Sequence, residues 1–256
     1  MAFSPEEFCQ GYFHVDRCYE WQQKTLCLFK NPGSVQCSRH GVRALVHLNA
    51  GDETLFLKQY TNISQGWTEK NIHVEEQFCS DPRLEQILDS SLQATDVQVT
   101  MTVYMTYQPC HQSGGGRNLQ RLHRKSCTNV LLNFLDRVTG KQLTPNFRLR
   151  LKLFGLYRVH WENADLFKPF DKALFGGRVN QASEGLAKLL LHKDPKIEIS
   201  MMDKESWREF LSLIPGADEL VQETVSVDQW ALREAHEQRC QDFLDRFRGS
   251  CLQAHG

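Results

Sequence analysis

No segment of the sequence approaches the roughly eighteen consecutive apolar residues that a membrane-spanning helix needs. The formal net charge is only −1, so the chain has no overall positive excess that would favour nucleic acid, although a local patch could still bind it. Internal repeats are absent, and so is any linker long enough to separate two domains. These absences predict a single domain over residues 1–256 that does not enter a membrane.

The N-terminal stretch MAFSPEEFCQ also lacks the basic segment and the long apolar core of a secretory signal peptide. We therefore expect the protein in the cytoplasm, the nucleus or both. A secreted protein whose signal peptide had been removed would look the same, so that alternative stays open.

Cysteine, in contrast, is abundant, with nine residues in the chain. Cys9, Cys18, Cys27 and Cys37 are spaced almost evenly, as in a disulfide or metal-binding set, and such a series would suit an oxidising compartment. An odd total fits no complete disulfide framework, and unpaired cysteine is a common core residue. We therefore favour buried thiols for these four residues.

Runs rich in β-branched and aromatic residues predict strands, and apolar residues at helical spacing predict helices. The expected strands cover residues 25–30, 43–49, 53–60, 96–107, 146–161 and 195–202. The expected helices cover residues 6–22, a segment from Ile72, and residues 82–93, 127–139, 183–194, 204–214 and 227–249. From residue 72 onward helices and strands alternate, which is typical of a layered α/β sheet with helices on its faces.

Several helix ends carry sequence signals. Asp81, Ser126 and Asp203 suit N-cap positions, and Gly140 and Gly249 are expected to end two helices. The C-terminal helix, at about residues 226–249, carries an apolar stripe that we expect to pack on the domain. The stripe consists of Leu232, His236, Cys240, Phe243 and Phe247.

The stretch NIHVEEQFC, residues 71–79, places His73 and Glu75 at the start of a predicted helix. Cys110 follows a proline at the end of a predicted strand, where proline is tolerated because the ladder ends there. Cys127 comes one residue after the predicted N-cap Ser126, and a helix N-terminus favours the thiolate that binds zinc.

A catalytic zinc commonly takes three protein ligands and leaves a fourth position for water, whose pKa it lowers. His73, Cys110 and Cys127 form such a set, and Glu75, a carboxylate outside the set, would move protons. The alternative is a capping or core histidine beside buried thiols. Each short motif is common by chance, but their order along alternating helices and strands favours the metal site.

This order of motifs resembles the AID/APOBEC family of zinc-dependent polynucleotide cytidine deaminases. The resemblance covers the chain from about Glu6 to Pro215. HVEEQF is similar to the family's zinc helix, and TVYMTYQPC to its strand ending in Trp-Ser-Pro-Cys. LFGLYRVHWENAD resembles its strand and loop with a base-contacting tyrosine. EGLAKLL and KIEISMMDKESWREFLSLI resemble its Gly-Leu helix, next strand and following helix.

The resemblance implies a cytidine deaminase-like α/β fold, with a central mixed five-stranded sheet flanked by helices on both faces and a zinc core at about residues 42–215. It also implies that His73, Cys110 and Cys127 bind Zn²⁺ and that Glu75 shuttles the proton.

Two tyrosines receive substrate roles from the same resemblance. Tyr107, in place of the family's usual tryptophan, would line the base pocket, and Tyr157 would stack on or flank the target cytosine. Ordinary half-buried packing at a sheet edge is the alternative for both.

The chain departs from the family at the cysteines. Sixteen residues, from His111 to Ser126, separate Cys110 from Cys127, where the family usually has only a few. His111 or His123 could replace Cys127 as a ligand. We prefer Cys127, because it leads into a helix whose apolar pattern matches the family. Gln108 also replaces the usual serine before Pro-Cys.

The inserted segment is basic and rich in glycine, with Arg117, Arg121, Arg124 and Lys125 and no acidic residue. It is either an arm that grips phosphate near the site or a solvated loop with incidental charge. Arg148, Arg150 and Lys152 alternate along a predicted strand, so they share one face, which we take as a surface face.

The expected function is zinc-dependent hydrolytic deamination of cytosine to uracil in single-stranded DNA or RNA, because the target atom is inaccessible in a stacked duplex. The alternative is a deaminase fold with weak or no catalysis that binds nucleic acid or a protein partner. Deamination of a free nucleoside ranks third, because the C-terminal helices and the Tyr157 loop fit the polynucleotide family. The sequence separates neither DNA from RNA nor one oligomeric state from another.

Overall fold

A computed structural model describes residues 12, 42–62, 72–94, 97–111, 126–140, 146–156, 169–193, 197–225 and 227–255. The strands in these ranges are β1 (Arg43–Ala50), β2 (Glu53–Thr61), β3 (Val99–Met105), β4 (Phe147–Leu153) and β5 (Ile197–Met201). The helices are α1 (Val74–Cys79), α2 (Pro82–Ala94), α3 (Cys127–Thr139), α4 (Pro169–Leu190), α5 (Lys204–Ser212), α6 (Ala217–Thr224) and α7 (Val227–His255). Among these helices, none combines the length and the apolar character that crossing a membrane requires.

The strands form one open mixed sheet in the order β2-β1-β3-β4-β5. β1 pairs antiparallel with β2 and with β3, whereas β3, β4 and β5 run parallel. A tight turn joins β1 to β2, and Gly51 takes a positive φ of 56° there, which glycine adopts without steric cost. The parallel pairs need crossover connections, which contain α3 and α4. The expected α/β class and mixed five-stranded sheet are confirmed.

Alternate strand residues face two different hydrophobic clusters. The larger one, the main core, combines strand residues such as Val46, Met101 and Leu149 with apolar residues of α1 to α4 and of α7. The smaller cluster takes Leu45 and Tyr104, whose neighbours in the strands enter the main core, so it lies on the opposite face. There it packs against α5 and α6. Helices therefore cover both faces of the sheet.

The last helix, α7, lies along the outer edge of β5, the last strand of the described sheet. Met201 donates its backbone N–H to Gln241 Oε1 (2.9 Å), and Arg248 donates to the carbonyl oxygen of Ile199 (2.8 Å). A sheet edge has unpaired backbone groups that would otherwise be open to pairing with another chain. Side chains of α7 form hydrogen bonds with two such backbone groups of β5.

Several boundaries differ from the prediction. α7 continues past Gly249 to His255, because a glycine that does not adopt a C-cap conformation leaves the helix free to continue. α4 begins at Pro169, a favourable first helical residue, rather than at Ser183. α6 was not predicted. β4 ends at Leu153, earlier than expected.

Other boundaries agree with the prediction. The side chains of Ser126 and Asp203 accept hydrogen bonds from the backbone of α3 and α5, so both N-caps are confirmed. α3 also ends at Gly140. The helix expected over residues 6–22, the strand over residues 25–30 and the four evenly spaced cysteines lie outside the described residues, apart from Tyr12.

Candidate metal centre

His73 and Glu75 lie at the N-terminal end of the short helix α1. His73 is its N-cap residue, in an extended conformation, and donates its backbone N–H to the Glu76 carboxylate (2.9 Å). The next backbone N–H, of Val74, donates to Asn62 Oδ1, just after β2 (2.9 Å). Because these groups satisfy the first N–H donors of the helix, they fix where and in which direction α1 begins.

Neighbouring elements also hold the body of α1. Gln77 donates its side-chain amide to the carbonyl oxygen of Thr61 (2.7 Å). Arg137 of α3 donates to the carbonyl oxygen of Cys79, in the last turn of α1 (2.9 Å). A helix this short depends on such contacts, because few of its backbone bonds are internal.

Cys110 follows β3, and Cys127 is the first residue of α3. An isolated antiparallel bridge pairs their neighbours His111 and Ser126. The backbone N–H of Thr128 donates to the Cys110 carbonyl oxygen (3.1 Å), which joins the start of α3 to the segment after β3. The two cysteines are therefore close in space although they are distant in sequence.

Three candidate ligand atoms converge at this junction. His73 Nδ1 lies 3.1 Å from Cys127 Sγ and 3.5 Å from Cys110 Sγ, and all three atoms lie within 4.8 Å of one another. One imidazole nitrogen and two sulfurs at these separations can hold a metal ion. Across the described ranges, no other three histidine, cysteine or carboxylate side chains come together in this way.

The three groups also polarise one another. The hydrogen bond with Cys127 outweighs burial and, together with the contact to His73, lowers the pKa of Cys110 to about 4. The same hydrogen bond, added to burial, raises the pKa of Cys127 far above its usual range. The hydrogen bond with Cys110 raises the pKa of His73 against the opposing effect of burial. Cys110 is thus the more acidic of the two thiols, and a metal ion would displace the protons of the ligand groups.

Glu75 is buried beside the three ligand atoms without being one of them. Only 4 % of the residue is exposed. Burial, and then the charge of Cys110, raise the pKa of its carboxyl to about 7. The interaction with the Cys127 side chain acts in the opposite direction and lowers this pKa. A carboxyl group with a pKa near neutral pH can both accept and donate a proton there.

The side chain of His111 points away from the ligand atoms. It is 2 % exposed, with Nδ1 2.6 Å from Ser126 Oγ and Nε2 3.2 Å from Glu184 Oε1 of α4. Of the possible third ligands, Cys127 is the one that lies beside His73 and Cys110. His123 lies outside the described residues.

The residues expected to bind substrate are only partly described. Tyr107 lies between β3 and Cys110 and is half-buried, and the neighbouring Gln108 is buried. The others lie outside the described residues: Arg117, Arg121, Arg124 and Tyr157. Their roles stay predictions.

The basic residues of β4 have acidic neighbours. Arg148, Arg150 and Lys152 share one face of the strand, as expected. Arg150 and Lys152 line a cleft of about 360 Å³, where Arg150 forms a salt bridge with Glu198 (3.2 Å) and Asp203 lies nearby. Because carboxylates balance these cations, the cleft is not a strongly basic surface.

Sequence reasoning missed Gly185 of α4. A β-carbon at this position would lie 2.4 Å from His111 Cβ and 2.9 Å from Thr128 Oγ1, too close for either contact. The backbone of α4 therefore packs directly on His111 and Thr128, which each lie just after one of the two cysteines. A glycine inside a predicted helix was the one available signal, since it lowers helix propensity and usually has a packing reason.

Comparison with protein-family models and with curated proteins finds no match to this chain.

Proposed function

We propose that the protein is a zinc-dependent hydrolytic deaminase that converts cytosine to uracil in single-stranded DNA or RNA. The observation that carries the proposal is the convergence of His73 Nδ1 and the sulfurs of Cys110 and Cys127 beside the buried carboxyl group of Glu75. A second support is the resemblance of the motifs around these residues to the AID/APOBEC family. We also propose a cytidine deaminase-like fold, with which the mixed sheet order is compatible.

The donor atoms suit zinc in chemistry and in spacing. One nitrogen and two sulfurs match the borderline-soft character of the ion. A tetrahedral zinc with bonds of about 2.0 Å to nitrogen and about 2.3 Å to sulfur separates these donors by about 3.5 Å. The distances of 3.1 and 3.5 Å from His73 Nδ1 to the two sulfurs are close to that separation.

A zinc ion held by His73, Cys110 and Cys127 would supply Lewis-acid chemistry and lower the pKa of a water molecule. The protein's own catalytic group is Glu75. Its carboxylate takes a proton from the attacking water and delivers it to N3 of cytosine. It then takes the proton of the new hydroxyl group at C4 and passes it to the departing amine, which leaves as ammonia while C4 becomes a carbonyl. The overall reaction consumes one water and releases one ammonia.

The remaining roles follow from the resemblance and the sequence. Tyr107 would line the pocket that receives the base, and Tyr157 would stack on or flank it. Aromatic stacking does not depend strongly on sequence, and cations that contact phosphate hold the strand. The basic residues Arg117, Arg121 and Arg124 would provide the phosphate contacts.

The test is uracil formation in cytosine-containing DNA and RNA oligonucleotides by the zinc-loaded protein. Glu75→Gln should keep one zinc per chain and lose activity by about a hundredfold or more, because the amide cannot carry the proton. Glu205→Gln is the matched control, since this glutamate is exposed on α5. Full activity of the Glu75→Gln variant would show that Glu75 takes no part in the reaction.

A second candidate is a deaminase fold that binds nucleic acid or a protein partner without turnover. The long interval between the cysteines and the buried Gln108 before Pro-Cys favour it. Absence of uracil from both polymers with zinc-loaded protein, together with retained oligonucleotide binding, would replace the enzyme proposal with this one.

A further inference from the structure

The two cysteines of the metal centre are close in space, although sixteen residues separate them in the sequence. An interval of this length does not by itself bring its ends together, because the entropic cost of closing a loop rises with the number of residues in it. The closure occurs instead at the residues next to the cysteines. His111 and Ser126 form an antiparallel bridge, and His111 Nδ1 lies 2.6 Å from Ser126 Oγ. We call this pair the clasp.

The clasp is continuous with the start of α3. Ser126 is the N-cap residue, and its hydroxyl oxygen accepts the backbone N–H of Asn129 (3.0 Å). The Thr128 hydroxyl donates to the Pro109 carbonyl oxygen (3.3 Å), and the Thr128 backbone donates to the Cys110 carbonyl oxygen (3.1 Å). The first turn of α3 and the segment after β3 are thus joined on both sides of the cysteine pair.

Helix α4 packs against His111 of the clasp. Glu184 Oε1 and Lys188 Nζ each lie 3.2 Å from His111 Nε2, and they pair with each other at 2.8 Å. Between them, Gly185 lets the helix backbone approach His111 so closely that no side chain would fit. His111 is therefore fixed at both ring nitrogens and at its β-carbon.

We propose that His111 and Ser126 are positioning residues, which set Cys110 and Cys127 at metal-binding distance independently of residues 112–125. The proposal rests on the metal centre of the proposed function but not on its reaction. It assigns His111 no contact with the metal. It also explains how an interval of sixteen residues is compatible with a compact ligand group.

Zinc affinity, measured by competition with a chromogenic chelator on folded protein, tests the clasp. His111→Ala and Ser126→Ala should each weaken zinc binding on the order of tenfold, the range for residues that support metal ligands. Because the two residues act as a pair, the double variant should lose less than the product of the two losses. Ser126→Thr keeps the hydroxyl and should restore affinity.

His111→Asn should restore part of the affinity, because its amide can reach Ser126 but not Glu184 or Lys188. Ser90→Ala on the exposed face of α2 is the control for loss of a hydroxyl. Variants that melt at a lower temperature but bind zinc as tightly as the wild type would overturn the proposal, since their defect would be structural only.

Cobalt substitution separates positioning from ligation. At saturating Co²⁺, His111→Ala should keep the visible spectrum of the wild type, whereas Cys127→Ser should show weaker sulfur-to-metal absorption, because only one of the two sulfur ligands remains. A changed spectrum in His111→Ala would make His111 a ligand and contradict the proposal.

A deletion tests the independence from the inserted segment. Replacing residues 112–125 with Gly-Ser-Gly-Ser should leave one zinc per chain, bound with an affinity within about threefold of the wild type. A linker of four residues is long enough, because residues paired in an antiparallel bridge, such as His111 and Ser126, lie only about 5 Å apart. Loss of zinc by a folded deletion variant would overturn the proposal. If the wild type binds zinc but forms no uracil, the proposed function is wrong and the clasp still stands. If the enzyme is active and the clasp variants bind zinc as tightly as the wild type, the clasp proposal is wrong and the proposed function still stands.

Discussion

Asp81 concentrates several interactions on a single carboxylate. It accepts hydrogen bonds from Lys58 Nζ (2.6 Å), the Tyr60 hydroxyl (2.7 Å) and the backbone N–H of Arg83 (2.9 Å). Burial acts to raise its pKa, but these bonds outweigh burial and hold the pKa at about 2. The same carboxylate caps α2 and joins that helix to β2.

We predict that Asp81→Asn lowers the free energy of unfolding at pH 7 by about 1 kcal/mol, the usual effect of a lost N-cap or charged hydrogen bond. Because the folded pKa is depressed, this stabilisation is complete above the ordinary pKa of 3.8 and is lost as the pH falls toward 2. Denaturant unfolding at several pH values should therefore show the two proteins converging in acid. Asp242→Asn, exposed on α7, should change stability by less than about 0.5 kcal/mol at any of these pH values. A difference that stays constant down to pH 2 would contradict the assignment.

At the scale of single elements, α4 contains two glycines in very different surroundings. Among the described residues, a β-carbon at Gly177 would meet no atom within 4 Å, whereas one at Gly185 would meet His111 and Thr128. Helix propensity favours alanine over glycine at both positions. Packing opposes the replacement of glycine by alanine only at Gly185.

We predict opposite effects for the same substitution at the two glycines. Gly177→Ala should raise the free energy of unfolding by about 0.5–1 kcal/mol, because alanine is the better helix former. Gly185→Ala should lower it by about 1–3 kcal/mol, because α4 must move away from His111. Denaturant unfolding of the two variants gives the comparison, and equal gains at both sites would show that α4 is not packed against the clasp.

The elements also show what the sequence could and could not predict. β4 and the N-cap of α3 were predictable, because alternation along the strand and the Ser126 signal are local. The end of α7 was not, since a side chain at Gly249 would meet none of the described residues and glycine has no steric role there. His111 was ambiguous for a different reason. Its partners Ser126 and Glu184 are distant in sequence, so only the fold decides whether the ring turns toward the metal ligands or toward α4.

At the scale of the whole molecule, the C-terminal helix joins the two hydrophobic clusters. Cys240 and Leu244 enter the main core, while the buried Arg233 donates to the carbonyl oxygen of Phe154 in the smaller cluster. Arg233 is paired with Glu237 (2.7 Å), so its charge is compensated inside the protein. The sheet, both clusters and α7 are thus held together by contacts that do not involve His73, Cys110 or Cys127.

From this distribution we predict that the protein stays folded without metal. His73 Nδ1 lies within hydrogen-bonding distance of both sulfurs, so removal of the ion would leave no isolated buried charge. Zinc at about a hundredfold above its Kd should still stabilise the fold by about 2.7 kcal/mol, which raises Tm by roughly 5–10 °C in a chain of this size.

Thermal unfolding with and without a chelator tests this, with far-UV circular dichroism to follow the fold. Added zinc should restore Tm, while Mg²⁺ should not, because it requires oxygen ligands. His73→Ala supplies the matched control, since its Tm should no longer respond to the chelator. Loss of secondary structure on metal removal would mean that the ligand group holds the sheet and helices together. An unchanged Tm after the bound zinc has left would mean that the ion contributes nothing to the folded state.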